Sequence, residues 1–277
     1  MTQGRGVEGA EAEWAPPGID TSTPHSARMY DWWLGGKDNF AADRAMGQLF
    51  IEAIPSIRTM ARENRQFMHR AARYLTAEAG IRQFLDIGTG IPTRPNLHET
   101  AQEIAPETRV VYVDNDPIVL VHARALMVPG EGGATEYIDA DLRDPQRILS
   151  ADALTRTLDL SRPVGLFMVA VLMLLADEDD PYGKTRALLD AMPSGSYVAI
   201  THPGQDFDPE AMAGVVAAAA RGNLTLVPRV RADVARFFDG WELVEPGVVP
   251  VMAWRPEGDP PADPNAAYYW AGVARKP

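Results

Sequence analysis

The stretch RQFLDIGTGIPTRPNLHE, residues 82–99, constrains the fold of this chain more than any other. Phe84, Leu85 and Ile87 form the short apolar run of a buried strand, and Asp86 sets a carboxylate at its end. Gly88-Thr89-Gly90 follows and leads into a helix. Glycines at such a junction let the backbone turn sharply and come close to a ligand, where a Cβ would block it.

The following residues repeat that unit. Residues 109–114 (RVVYVD) predict a second buried strand ending in an acid, and Asp116-Pro117 opens a helix running to about residue 127. An Asp cap with proline in the first turn is a strong helix start. Residues 134–138 predict a third strand, leading into DADLRD, and Asp144-Pro145 starts another helix. Residues 164–170, apolar on both faces, suit a central parallel strand, and 195–201 a fifth. Helices are expected over 180–192, 208–221 and 231–238, and closing strands over 241–245 and 268–275. The intervening segment 246–266, rich in proline and glycine, is expected to be a long surface connection. Strands alternating with helices imply an α/β fold, a mostly parallel sheet with helices on both faces.

Ahead of this region, residues 1–23 are polar and aperiodic and predict a flexible leader. Residues 24–80 predict an N-terminal helical cap, with helices at 41–54 and 57–79 separated by Pro55. In the second of these, Ile57, Met60, Phe67, Met68, Ala71 and Tyr74 recur at helical spacing. Arg58, Arg62, Arg65, Arg70 and Arg73 mark its other face, expected to be solvated apart from one arginine turned inward to a carboxylate. The cap begins with PHSARMYDWWLGGKDNF, whose aromatic density suits either a small hydrophobic cap with its tryptophans packed on the main domain or a lid or wall over a ligand site.

Composition removes several classes of function. A net charge of -12 argues against a nucleic-acid groove, which needs clustered Lys and Arg. The absence of cysteine excludes disulfides, thiolate nucleophiles and Cys-ligated metals. The longest apolar run, residues 164–176, is too short to cross a bilayer. A cytoplasmic protein with no membrane or nucleic-acid partner is expected; the oligomeric state is not encoded legibly. No pair of histidines has metal-ligand spacing.

Ligands of open parallel sheets lie outside the carboxyl ends of the strands. Here those ends carry Asp86, then Asp114-Asn115-Asp116, then Asp139-Ala140-Asp141. Asp114 lies 24 residues past Gly90, near the spacing at which an acid binds both ribose hydroxyls of a nucleoside. A dinucleotide site wants a third glycine where this chain has Thr93, and a helix pressed directly on the pyrophosphate. Pro92 and Pro95 interrupt that approach. An acid-rich site repels pyrophosphate but suits S-adenosylmethionine, which is cationic at sulfur and carries no phosphate.

The strings DIGTGIP, VDNDPIVL, DADLRD and VAVLMLLAD resemble motifs I to IV of class I S-adenosylmethionine-dependent methyltransferases. More narrowly, ARMYDWWLGGKDNFAADR, RFFDGWELVEPGVVP and YWAGVARKP resemble an actinobacterial family of predicted methyltransferases long known as a domain of unknown function (DUF574-like). The likeness spans roughly residues 24–275 and implies a Rossmann-like sheet of seven strands, the last antiparallel, across a methyltransferase domain at 81–277. It implies no substrate. It places Asp86, Gly88 and Gly90 along the methionine part of the cofactor, Asp114 with Asn115 at the ribose, and Asp141 and Leu142 at the adenine. Pro92 departs from the superfamily pattern, which often has a third glycine there. Arg28, Tyr30 and Arg65 match no superfamily-wide motif and are expected as cap residues near the cofactor carboxylate.

Methyl transfer from a sulfonium is an in-line displacement that alignment and exclusion of water can largely drive. A base is needed only if the acceptor must lose a proton. His202, just past the fifth strand, is the first candidate and His98 the second, each set against a histidine held by its local structure. Motif IV offers no Asn/Asp-Pro-Pro-aromatic string of the kind that holds an amine, which weakens DNA-adenine and protein-glutamine methylation. Tyr30, Trp32, Trp33 and Phe40 are expected to wall a pocket for a small-molecule acceptor. A non-catalytic S-adenosylmethionine sensor is the alternative, and an NAD(P)-dependent Rossmann oxidoreductase is a third reading.

Overall fold

A computed structural model describes residues 19–126, 130–259 and 261–277. Three helices open the described chain: α1 (Ser26–Leu34), α2 (Ala41–Ala53) and α3 (Ile57–Ala77). The alternating part follows: β1 (Gln83–Ile87), α4 (Leu97–Ile104), β2 (Arg109–Asp114), α5 (Pro117–Leu126), β3 (Ala134–Asp139), α6 (Pro145–Leu149), α7 (Asp152–Thr157), β4 (Gly165–Val169), α8 (Pro181–Ala191) and β5 (Tyr197–Pro203). Then come α9 (Pro209–Arg221), α10 (Arg231–Ala235), β6 (Glu242–Leu243), β7 (Val249–Pro250) and β8 (Tyr269–Arg275).

Four of these helices begin at Asp-Pro. The side chains of Asp116, Asp144, Asp180 and Asp208 accept from the N–H of Ile118, Arg147, Gly183 and Ala211, at 3.0–3.1 Å. Each proline stands where its missing N–H has no helical partner to lose. The helix starts were therefore legible residue by residue.

Among the described residues the strands form one sheet of order β3-β2-β1-β4-β5-β8-β6, with β7 added on β8. Strands β1 to β5 pair in parallel, and β8 runs antiparallel to β5, β6 and β7. The seven-strand path is the expected one; β7, two residues long, is an eighth strand that sequence periodicity did not show. Alternation along the strands builds two cores. On one face Phe84, Tyr112 and Phe167 pack with Phe67 and Leu75 of α3 and with Met29, Phe50 and Met212. On the other Leu85, Val111 and Leu166 pack with Leu154, Leu188 and Phe238.

Three expectations change. The segment 246–266 is not all surface: Trp254 is fully buried, with its ring 5.2 Å from Phe67 and 6.0 Å from Tyr74. Two arginines of α3 turn inward rather than one, and within the chain both are held by carbonyls. Arg70 donates to Val251 and Trp254 oxygens at 2.7 and 2.9 Å, and Arg65 to those of Thr93 and Pro95. Chain without helix or ladder leaves bare carbonyls, which a guanidinium with five donors can gather. Helix α7 arises where no helix was expected. Most of the expected leader, residues 1–18, falls outside the described residues. No described helix is long and apolar enough to cross a membrane.

Candidate functional site

The strand order reverses between β1 and β4, and a cavity opens above that point, at the carboxyl ends of the strands. Gly88 and Gly90 leave β1 with φ of 71° and 67°, the left-handed region that glycine enters freely. The N–H groups of Gly88 and Thr89 donate to the Val113 carbonyl at 2.8 and 3.2 Å, tying the turn to β2. A Cβ on Gly88 would collide with the Val171 side chain beyond β4, whereas nothing stands within 4 Å of a Cβ on Gly90. One glycine lets two strand ends close up; the other leaves room.

Asp114 is buried, and each of its oxygens takes one backbone N–H: Oδ2 from Gly90 at 2.7 Å and Oδ1 from Asp116 at 3.0 Å. A carboxylate oxygen can accept twice, so Asp114 is held in place with capacity to spare. Burial raises its pKa, and those two N–H groups oppose the rise. Asp141, past β3, takes the Asn115 amide at 2.8 Å and the Arg143 N–H at 2.8 Å. Its partial burial alone would raise its pKa; these bonds and the Arg143 charge outweigh it and hold the carboxyl below its usual range. Arg143 also reaches Asp179 and the Leu174 carbonyl, bridging the loops after β3 and β4.

Beyond Gly90 the chain runs to Asn96, whose backbone N–H donates to Glu99 at 2.6 Å as α4 begins. The helix cap thus lies six residues past Gly90, and the N-terminus of α4 does not press on the turn. Arg65 pins this loop through Thr93 and Pro95. After β4, Ala170 adopts φ 54°, uncommon for a residue with a Cβ, and donates its N–H to Thr201 Oγ1 at 2.9 Å. Backbone strain at a strand end facing a cavity is common at functional sites.

Of the expected site residues, Asp86, Gly88, Gly90, Asp114, Asn115, Asp141, Leu142, Tyr30 and Arg65 all line this one cavity. Tyr30 is nevertheless committed elsewhere: its hydroxyl donates to the Ala61 carbonyl at 2.8 Å and accepts from Asn64 at 2.9 Å. Arg28 does not line the cavity. Its guanidinium donates to the Asp20 and Thr23 carbonyls at 2.9 and 2.7 Å and lies 3.4 Å from the buried Asp43, a carboxylate that needs a cation. His202 is not there either. It is fully buried, its Nδ1 3.1 Å from the Pro203 oxygen and its ring stacked on Phe237, and burial pushes its pKa down to about 3. His98 is buried against the Tyr112 hydroxyl at 2.8 Å. Trp33 lines the cavity, but Trp32 sits under Arg58, and Phe40 packs with Ile91 and Ile118.

Sequence reasoning missed His25, Asn64, Arg143 and Tyr269, which also line the cavity. His25 Nδ1 stands 2.8 Å from Asp116 Oδ2. Arg143 lies within the DADLRD string and was within reach of that motif; the others come from elements that only the fold brings together.

Burial pushes the Asp86 pKa up to about 6, against the Thr89 hydrogen bond and the Arg65 charge, with the Asp114 charge adding to the rise. An ionised Asp86 favours a cation, and below about pH 6 it becomes neutral. Affinity for a sulfonium is therefore expected to fall between pH 7 and pH 5, by up to about tenfold per pH unit below the pKa. Asp86→Asn should flatten that profile in calorimetric titrations; an unchanged slope would assign the pH dependence to another group.

A parallel β3-β2-β1-β4-β5 sheet closed by an antiparallel strand, with a glycine turn after β1 and acids at the ends of β1, β2 and β3, is the architecture of class I methyltransferases. The profile of a family described as S-adenosyl methyltransferase matches residues 12–277, and the chain belongs to that family. It is an S-adenosylmethionine-dependent methyltransferase. A crystal structure of a DUF574-family protein from Streptomyces avermitilis is 46% identical, covers 93% of this chain and 99% of its own, and superposes with a TM-score of 0.90. A candidate methyltransferase from Thermobifida fusca is 40% identical, covers 96% and 99%, and has a TM-score of 0.87. Comparison with curated proteins gives no match. The donor set suits the cofactor: carboxylates at three strand ends, an open place beside Gly90, and a helix α4 that begins away from the glycine turn rather than on it.

Proposed function

We propose that the protein methylates a small molecule held between its N-terminal helices and the strand ends. In this reading Asp114, beside Asn115, takes the ribose hydroxyls, Asp141 and Leu142 the adenine, and Asp86, Gly88 and Gly90 the methionine part of the cofactor. Residues 24–80 act as a cap on the domain formed by 81–277. One observation carries the reading: a single cavity runs from these acids to apolar side chains of the cap and α9, among them Trp33, Phe50, Met60 and Met212. Such a cavity admits a molecule of modest size beside the cofactor.

S-adenosylmethionine supplies an activated methyl group. What the chain supplies is alignment and dryness: Asp114 and Arg65 hold the loop that orients the donor, and the cap shields the reacting atoms. Neither His202 nor His98 reaches the cavity, so this reading assigns no base. It suits an acceptor that presents a free electron pair at neutral pH.

Calorimetric titration with S-adenosylmethionine, S-adenosylhomocysteine and NAD tests the cofactor site. Both sulfur compounds are expected to bind and NAD is not. Incubation with labelled S-adenosylmethionine and a metabolite extract tests the acceptor. Label is expected in a small molecule, and label found only in protein or nucleic acid would overturn the reading.

A further inference from the structure

The half of the cavity away from the acids has its own chemistry. Met29, Met60, Met68 and Met212 line it together with Phe50 and Val215. Thioethers make favourable contacts with aromatic rings and adapt to their shape. The cation nearest on α3, Arg65, is already held by the Thr93 and Pro95 carbonyls, so an ionised group set among these side chains would lose its water for little return. The wall therefore favours an uncharged ring.

Tyr269 is the polar group that stands out here. It opens β8, packs in the same cluster as Phe50 and Met212, and is 6% exposed. Its hydroxyl makes no hydrogen bond to the described residues, although the residue lines the cavity. The nearby Tyr30 hydroxyl has spent its proton on Ala61 and accepts from Asn64, so it has no donor left to offer. The hydroxyl is not among the unpartnered side-chain atoms sealed from solvent, so it opens to the cavity, where a ligand oxygen can replace water as its acceptor. Burial also raises the Tyr269 pKa, which keeps the group a donor rather than a base.

Its position separates it from the cofactor. Tyr269 pairs with Pro203 at the end of β5, and β8 lies three strands from β1. At the usual strand spacing that is roughly 14 Å from the strand bearing Asp86, with β2 and β3 farther still on the other side. We propose that the methyl acceptor is an uncharged aromatic compound bearing a carbonyl or hydroxyl oxygen, and that Tyr269 selects it by donating a hydrogen bond to that oxygen. This rests on the methyltransferase reading above and adds the acceptor class and the residue that recognises it.

The test uses full-length protein saturated with S-adenosylhomocysteine and three probes of one ring size: 1-indanone, indane and indane-2-carboxylate. Ligand-observed NMR gives their affinities for wild type and for Tyr269→Phe. Removing the hydroxyl is expected to lower the preference for indanone over indane by about tenfold, the value of one buried hydrogen bond. The carboxylate is expected to bind wild type at least about tenfold more weakly than indanone. Affinity for S-adenosylhomocysteine should be the same in both proteins. A preference that survives in Tyr269→Phe, a carboxylate bound as tightly as the ketone, or no probe bound at millimolar concentration would each overturn the proposal while leaving the cofactor site intact. Loss of S-adenosylhomocysteine binding in Tyr269→Phe would assign the residue to the cofactor instead. Failure of wild type to bind S-adenosylhomocysteine would remove the methyltransferase reading itself, and the proposal with it.

Discussion

Asp114→Ala is expected to weaken S-adenosylmethionine binding by about 2–3 kcal/mol, roughly 30- to 150-fold, the range for hydrogen bonds to a charged group. The expectation comes from how the carboxylate is held. Gly90 and Asp116 each donate a backbone N–H to one of its oxygens, so its rotamer is fixed before any ligand arrives. Little entropy then remains to be lost when two hydroxyls dock on it. The substitution also leaves the Gly90 N–H without its acceptor and frees the glycine turn, which adds to the loss. Burial of the carboxylate works the other way: it raises the Asp114 pKa, so the free protein carries a cost that alanine relieves. Affinity should therefore fall by more than thermal stability does. Calorimetric titration beside a melting curve reads both quantities. An unchanged affinity in a folded Asp114→Ala protein would remove the ribose assignment.

What made Asp114 legible was local. A strand, an acid at its end and an Asp-Pro helix start can all be read from adjacent residues, and β1, β2 and β3 with their acids stand where the sequence put them. The N-terminal segment 24–80 was legible only as helices. Its side chains are sorted by distant partners: Arg28 serves Asp43 because that carboxylate is buried beneath it, and Tyr30 serves Ala61 because α3 passes there. His202 was expected just past the fifth strand, but β5 runs on through it to Pro203, and strand alternation turns the side chain into the core against Phe237. Tyr269 could not have been found, since its place depends on β8 inserting antiparallel between β5 and β6.

The segment 246–266 shows the same limit in energetic terms. Its prolines and glycines predict surface chain, yet Trp254 inside it is among the largest fully buried side chains of the described residues. Trp254→Ala is expected to cost about 3–5 kcal/mol of stability, the range for truncating a buried aromatic residue. In a chain of this size that lowers the melting temperature by about 2–4 °C per kcal/mol. Both edge contacts, with Phe67 and with Tyr74, would be lost, and the void would open beneath α3, the helix that carries Arg65 and Asn64 to the cavity. Trp254→Phe separates packing from hydrogen bonding. The indole Nε1 is buried with no partner, so phenylalanine forfeits no hydrogen bond and removes an unsatisfied donor. It should recover more than half of the alanine loss. The Arg70 bonds run to backbone oxygens of Val251 and Trp254 and persist in both variants. Urea unfolding of the two proteins checks the pair. A Trp254→Ala protein within about 1 kcal/mol of wild type would return the segment to the surface, the range expected of substitutions away from the core.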